Sequence, residues 1–517
     1  MNPSDKTEST ALPTTEQSGQ SEGSSFGRDL MASVVVFLVA LPLCMGIAIA
    51  SGAPPALGLI TGIIGGLVVG FLAGQPLQVS GPAAGLTVLV WELIQQFGLP
   101  ALGLAVLVAG ALQLAAGFAG LGRWFRAVSP AVVQGMLAGI GVLIFASQFH
   151  VMVDDAPRGG GLANLFSIPE AIYKGIVPLD GSSHHLAAAI GLATIASVVL
   201  WNRFRPQALA VLPGPLIGVV VGTIAASIFN LTVRLVEVPD NLLASFNWLT
   251  PDVAGLLLIP GFWASAIGLA LIASAETLLC ATAVDRMHSG KRTDYNKELR
   301  AQGIGNMLCG VVGALPMTGV IVRSSANVNA GAETKWSAIF HGVWILLLVA
   351  AFPWLLALIP RSSLAAILVY TGWKLINIDA LKRLAQSGRA EAVIWGATVT
   401  MIVATDLLMG VATGFALALA RLLYTFARLD VRLEQNGDSY EIFLRGAATF
   451  MSLPLLAEAL ESVPAESEVH VHLDQVAYVD HACIELIEDW QERHQGRVVL
   501  ATKRLRERSQ ADKLWAA

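Results

Sequence analysis

Two charged side chains stand where charge is expensive. The stretch ALPMTGVIVRSSANVNAGAE, residues 314–333, holds Arg323, and from Ala301 to Thr334 the only other charge is Glu333. In IASAETLLCATAVD, residues 272–285, Glu276 is the only charge between Asp252 and Asp285. Charge inside a membrane segment is functional by default. A buried arginine attracts an anion; a buried acid can hold a proton, bind a cation or neutralise that arginine. The plainer alternatives are an arginine that snorkels to the interface and a purely structural ion pair with Glu276.

The other polar residues signal less. His341, in IFHGVWILL, reads as a packing histidine, Glu92 as an interfacial acid, and Gln113 and Gln134 as bonds between helices. Cys44, Cys280 and Cys309 lie in apolar segments and Cys483 in a polar one, with no disulfide or zinc spacing. No nucleophile–base constellation stands out, so an enzyme is not expected. A net charge of −5 suggests no nucleic-acid partner.

The elements that must position Arg323 and Glu276 are spans of a bilayer. The chain of 517 residues is 55% hydrophobic and 13% charged, with a mean hydropathy of +0.66. Soluble domains carry roughly a quarter charged residues, and a spanning helix needs only about 20 apolar ones. Between Asp29 and Arg123 the only charge is Glu92. About fourteen apolar segments follow, near 30–50, 56–73, 83–97, 101–120, 130–150, 186–202, 211–230, 264–283, 298–313, 323–333, 336–352, 355–373, 391–406 and 408–427.

The third and tenth segments are too short to cross alone, and each follows an irregular run, QPLQVSGPAAG and ALPMTGVIVR. Interrupted segments at matching places in two halves point to a midplane site in an inverted-repeat transporter. Two half-helices starting there present free N–H groups and about half a positive charge each, an anion site to which Arg323 adds a full charge. Basic clusters at Arg123 and Arg126, at Arg203 and Arg205, at 286–300 and at 382–389 all follow even-numbered segments. By the positive-inside rule those ends and both termini are cytoplasmic. Residues 1–28 read as a disordered cytoplasmic tail and 29–428 as the transport domain.

At these residues the chain resembles the SulP family of sulfate-permease-like anion transporters, which includes prestin and pendrin. The resemblance rests on LPLCMGIAIASGAPPALGL, QVSGPAAGLTVLV, SAETLLCATAVDR and PMTGVIVRSSANV. It implies an all-α polytopic membrane domain of seven plus seven inverted spans, split into core and gate domains, in a homodimer in the bacterial inner membrane. The anion is then expected between Ala83, Ala84 and Gly85 at the third helix and Val322, Arg323 and Ser324 at the tenth, facing Leu43 and Ile47. Leu43, Ile47, Ala83 and Val322 replace a glutamine, an aromatic, a phenylalanine and a serine common in relatives, which leaves more of the binding to backbone amides and Arg323.

Glu276, Thr277 and Cys280 form the group for ion coupling or charge balance. Sodium-coupled relatives have an aspartate and a hydroxyl residue where this chain has Glu276 and Cys280. Sodium prefers oxygen ligands, so coupling to protons is favoured over sodium. The block ETLLCATAVDRMHSGKRTDYNKE resembles the bacterial branch associated with carbonic anhydrases, which tilts the substrate toward bicarbonate and names a carbonic anhydrase as a cytoplasmic partner. Sulfate stands beside it. Proton-coupled symport of fumarate or succinate, and an anion channel or exchanger of the same fold, are the alternatives. No cofactor or metal is expected.

From 437 to 517 strands alternate with helices, a small α/β domain resembling the STAS domain of SulP proteins. Asp480-His481-Ala482 lacks the phosphorylated serine of anti-sigma-antagonist relatives, and His481 reads as a loop or helix-cap residue.

Overall fold

In the computed structural model the described residues are 22–123, 129–177, 183–206, 209, 212–237, 245–427, 429–437 and 439–501. Arg126, most of the amino-terminal tail and residues 502–517 lie outside them. The chain forms two compact units, one of residues up to 387 with 395–411 and one of 388–394 with residues from 412 onward. That division departs from the boundary expected at 428. Residues 388–394 and 412–427, apolar enough to be read as part of the transport domain, group with the C-terminal residues.

Every apolar segment expected from the sequence is helical. In chain order they are α1 (Glu22–Ala50), α2 (Pro55–Leu72), α3 (Thr87–Phe97), α4 (Leu99–Phe118), α5 (Pro130–Met152), α6 (His184–Phe204), α7 (Gly214–Ile228), α8 (Pro260–Asp285), α9 (Tyr295–Val311), α10 (Ile321–Asn329), α11 (Trp336–Ala351), α12 (Arg361–Leu375), α13 (Arg389–Ala404) and α14 (Leu407–Ala427). Among the described residues, eight helices are long and apolar enough to cross a membrane by themselves. The seven residues 22–28, expected in the disordered tail, are the first turns of α1. Tertiary anchors hold them: Arg28 pairs with Glu333 at 2.6 Å, and Asp29 accepts from the Glu333 and Thr334 amides.

The first unit packs its helices in two groups. α9 lies along α4, α8 joins them, and α1 packs on α2, α10 and α11; α12 packs on α5 and α6, and α6 on α7, while α1 also packs on α12 between the groups. Glycines permit the closest approach. A Cβ added at Gly110 would fall 2.6 Å from Met307 N, and one at Gly303 would fall 2.6 Å from Leu114 N, so α4 and α9 touch backbone to backbone. Within α2, Gly65–Val69 is a π-helical turn. Such bulges sit at functional sites, and here Gly65 lies so near Ser80 that a Cβ would stand 2.5 Å from the Ser80 carbonyl.

Two strands interrupt the helical run: β1 (Ser80–Pro82) before α3, and β2 (Met317–Gly319) before α10. They pair antiparallel, Ser80 with Gly319, Gly81 with Thr318 and Pro82 with Met317.

In the second unit β3 (Leu429–Asn436) pairs antiparallel with β4 (Ser439–Ala448), and β4, β5 (Glu468–Val479) and β6 (Val498–Ala501) run parallel. Helices α15 (Leu453–Glu461) and α16 (His481–Arg493) make the crossovers. The small domain therefore begins at Leu429 and not at 437. β3 escaped notice because it is an edge strand with both faces largely exposed, which removes the alternation that marks a strand. Gly437, at φ +67°, makes the turn into β4. Its apolar core joins Leu429, Ile442, Leu444, Leu456, Val471 and Ile487.

Candidate functional site

The three-rung ladder of β1 and β2 brings the two half-helix starts together. α3 leaves from its Pro82–Met317 end and α10 from its Ser80–Gly319 end, on the order of 10 Å apart at about 3.3 Å per residue. Ala83 is extended (φ −109°, ψ 136°) and leads into a 3-10 turn, Ala84–Leu86, before α3; Val320 plays the same part before α10. The first N–H groups of both helices therefore have no partner inside their own helix. Ala83, Ala84 and Gly85 keep the α3 end free of bulky side chains, and a Cβ at Gly85 would displace the Glu276 carboxylate.

Arg323 is fully buried in the third position of α10. Its Nη2 donates to the Pro82 carbonyl at 3.5 Å, and Nη1 lies against Gly81, where a Cβ would collide with it. Nε and Nη1 have no hydrogen-bond partner among the described residues. The pairing with Glu276 envisaged from the sequence is absent: among the described residues neither side chain makes an ion pair. Glu276 Oε2 accepts from Thr318 Oγ1 at 3.4 Å instead. Thr318 is paired with Gly81, so the two charges adjoin the same rung of the ladder. Arg323 thus lies against β1 at Gly81 and Pro82 without pairing with Glu276.

The remaining predicted residues divide. Thr277 Oγ1 accepts from the Gly319 amide at 3.1 Å and braces β2. Ser324 Oγ accepts from the Val79 amide at 2.9 Å, donates to the Val320 carbonyl at 2.8 Å and lies 3.5 Å from Cys280 Sγ. Ser324 and Cys280 therefore tie β1 and α8 to α10, and the Ser324 hydroxyl is already engaged. Leu43 and Ile47 are buried in the main apolar core, whereas Val322 is 42% exposed. His341 is buried; its Nδ1 bonds the Ala338 carbonyl at 2.5 Å, and its Nε2 has no partner among the described residues. Gln113 links α4 to α8 and α9 through Ser274 and Asn306. Glu92 is partly buried and lines a small open pocket with Trp91, Asn164 and Asp406.

Sequence reasoning missed the polar face of α9. Glu298, Gln302 and Asn306 are each at most 1% exposed. Glu298 accepts from the Gly74 and Gln75 amides and from Gln78 and Gln302. Gln302 also donates to Ser80 Oγ at 2.6 Å. Asn306 takes both backbone groups of Met317, accepting from its N–H at 2.7 Å and donating to its carbonyl at 3.1 Å. The spacing of four between these residues, KELRAQGIGN, was the available signal.

The arrangement is thus two broken helices opening onto a shared strand pair inside an apolar bundle. Residues 26–398 match the sulfate permease family, and the chain belongs to it. YvdB of Bacillus subtilis (strain 168) is 28% identical over 514 residues, covering 92% of this chain and 91% of that protein. The bicarbonate transporter BicA of Picosynechococcus sp. is 26% identical over 75% of this chain and 69% of its own length. The solved transmembrane domain of a cyanobacterial BicA superposes with a TM-score of 0.65 at 25% identity, over 75% of this chain and 97% of that one. The structure of SLC26A9 covers 96% of this chain and 87% of its own at a TM-score of 0.74; at 16% identity it speaks to fold alone.

Proposed function

We propose that the chain is a secondary transporter of a small inorganic anion, bicarbonate or sulfate, working by alternating access in the bacterial cytoplasmic membrane with both termini inside. One observation carries the reading: the amino ends of α3 and α10 meet at one short ladder beside a buried guanidinium two of whose nitrogens have no hydrogen-bond partner among the described residues. The anion sits on the first N–H groups of the two helices, over Ala83, Ala84 and Gly85. Arg323 supplies potential and not contact. A unit charge about 4–8 Å from an anion, at an effective dielectric near 20, stabilises it by roughly 2–4 kcal/mol.

Glu276 stands against Gly85 at the α3 end of the ladder. Its carboxylate opposes an anion at the α3 end, and a proton on it removes that opposition, so protons couple to the anion here. Cys280 offers no hard oxygen ligand, which disfavours sodium. The helix group carrying the site moves against the group of α5, α6, α7 and α12. BicA's name supports bicarbonate and the family's own name supports sulfate; the block ETLLCATAVDRMHSGKRTDYNKE is the basis for a carbonic anhydrase as cytoplasmic partner. The C-terminal α/β unit is a STAS domain serving regulation or assembly of a homodimer.

Uptake of labelled bicarbonate, sulfate and fumarate into proteoliposomes, with and without proton or sodium gradients, tests this. Saturable uptake of bicarbonate or sulfate driven by a proton gradient supports it. Uptake confined to fumarate, or non-saturable flux independent of any counter-substrate, overturns it.

A further inference from the structure

We propose that Gln302 and Asn306, held by Glu298 on the buried polar face of α9, are positioning residues that set the spacing of the two half-helix starts and thereby the affinity for a small oxyanion. This rests on the anion site proposed above. A two-stranded ribbon is marginal on its own, and β1 and β2 share only three rungs. Something else must fix their register.

The rungs leave outward-facing backbone groups that need partners inside the bundle. Asn306 takes both such groups of Met317, as an added strand would. Four residues earlier Gln302 holds Ser80 on the partner strand, and four earlier again Glu298 holds the approach to β1 at Gly74, Gln75 and Gln78. Among the described residues α9 is the element whose side chains hydrogen-bond to both strands. It is also rigidly placed, since Gly303 and Gly310 lie against the α4 backbone. A site is only as precise as the shell that holds it. With the stripe in place, the gap between the α3 and α10 amides is fixed; without it, the ladder can slide or part and the amides no longer converge on one ion.

The test compares Asn306→Ala and Gln302→Ala with the parent protein, and with Leu308→Ala, at an exposed position on the same helix. Losing one or two buried hydrogen bonds at the ladder is expected to raise KM for the transported anion about tenfold, with the maximal rate per folded protein within about twofold. Leu308→Ala keeps the parent KM. Should Asn306→Ala fail to assemble, Asn306→Ser reads the same shift. A lower maximal rate at unchanged KM means that the stripe only stabilises the fold and overturns the inference.

A second readout does not depend on the anion. All four native cysteines are buried, so maleimide labelling of an added cysteine, Ala84→Cys, reports the α3 start. Asn306→Ala is expected to change that rate by at least about threefold as the ladder loosens. An unchanged rate overturns the inference, whatever the transport assay gives. A parent protein that carries no anion, with labelling altered as expected, overturns the transport reading and leaves the positioning role standing.

Discussion

Gly81 and Thr318 face each other across one rung, with the Arg323 guanidinium against the first and the Glu276 carboxylate hydrogen-bonded to the second. Two opposite charges are thereby held near one another without meeting. Each stays available to a third charge, which an ion pair would not allow.

Gly85→Ala should weaken transport. The added methyl meets the Glu276 carboxylate, so either α3 or Glu276 must move. Uptake is expected to fall by at least about tenfold, since a misplacement of one ångström at a site costs about that much or more, with assembly unchanged on gel filtration. Gly85→Ala combined with Glu276→Ala removes the collision and should recover anion binding.

Glu276→Gln should uncouple uptake from the proton gradient. The amide keeps the contact with Thr318 but carries no charge and exchanges no proton. Uptake driven by the anion gradient alone is expected to persist, and acceleration by an inward proton gradient to vanish. Acceleration equal to the parent's would place the proton site elsewhere.

Gly110→Val should prevent folding. The α4–α9 contact leaves no room for a side chain, with Met307 N 2.6 Å and Gly303 O 2.7 Å from where a Cβ would stand. Overpacking there costs about 1–3 kcal/mol or more, and the stripe of α9 moves with it. The readout is the yield of monodisperse protein after solubilisation.

In the C-terminal unit, Asp480 caps α16, accepting from the Cys483 amide at 2.9 Å and from the Phe450 amide. Burial works to raise its pKa, but the Cys483, Phe450 and Ala482 amides together outweigh it and hold the carboxyl below its usual range. A depressed folded-state pKa means that the contribution is complete above the ordinary carboxylate pKa and is lost as pH falls through the lowered one. Hydrogen exchange of α16 in the intact protein should therefore be flat from neutral pH down to about 5, once corrected for intrinsic exchange rates, and rise only in more acidic buffer. Asp480→Ala should cost about 1 kcal/mol at neutral pH and remove that acid-dependent rise.

The helices were legible because a bilayer demands about 20 apolar residues per crossing, and the half-helices because Pro316, Gly319 and the run from Gln75 to Gly85 interrupt that demand. Arg323 was legible as an isolated charge. Its surroundings were not, since only the fold places Gly81 over its Nη1 and Glu276 on Thr318 across the same rung. Ser324 looked like a ligand beside an arginine, but its hydroxyl is consumed by Val79 and Val320. The α9 stripe sat among charged residues at the segment's edge, where nothing in the sequence set Glu298 apart. β3 stayed hidden because an exposed edge strand lacks a buried face to impose alternation.

The central claim is that the charge of Arg323 holds an anion at the ladder. Its most direct test is the apparent affinity of the transported anion for Arg323→Ala, Arg323→Lys and the parent in proteoliposomes of equal protein content. The account predicts that Arg323→Ala weakens affinity by at least about tenfold, as loss of roughly 2–4 kcal/mol of potential requires, and that Arg323→Lys restores part of it. Parent-like affinity in Arg323→Ala would contradict the account, because the guanidinium would then be a structural group and the anion would be held by the amides of α3 and α10 alone.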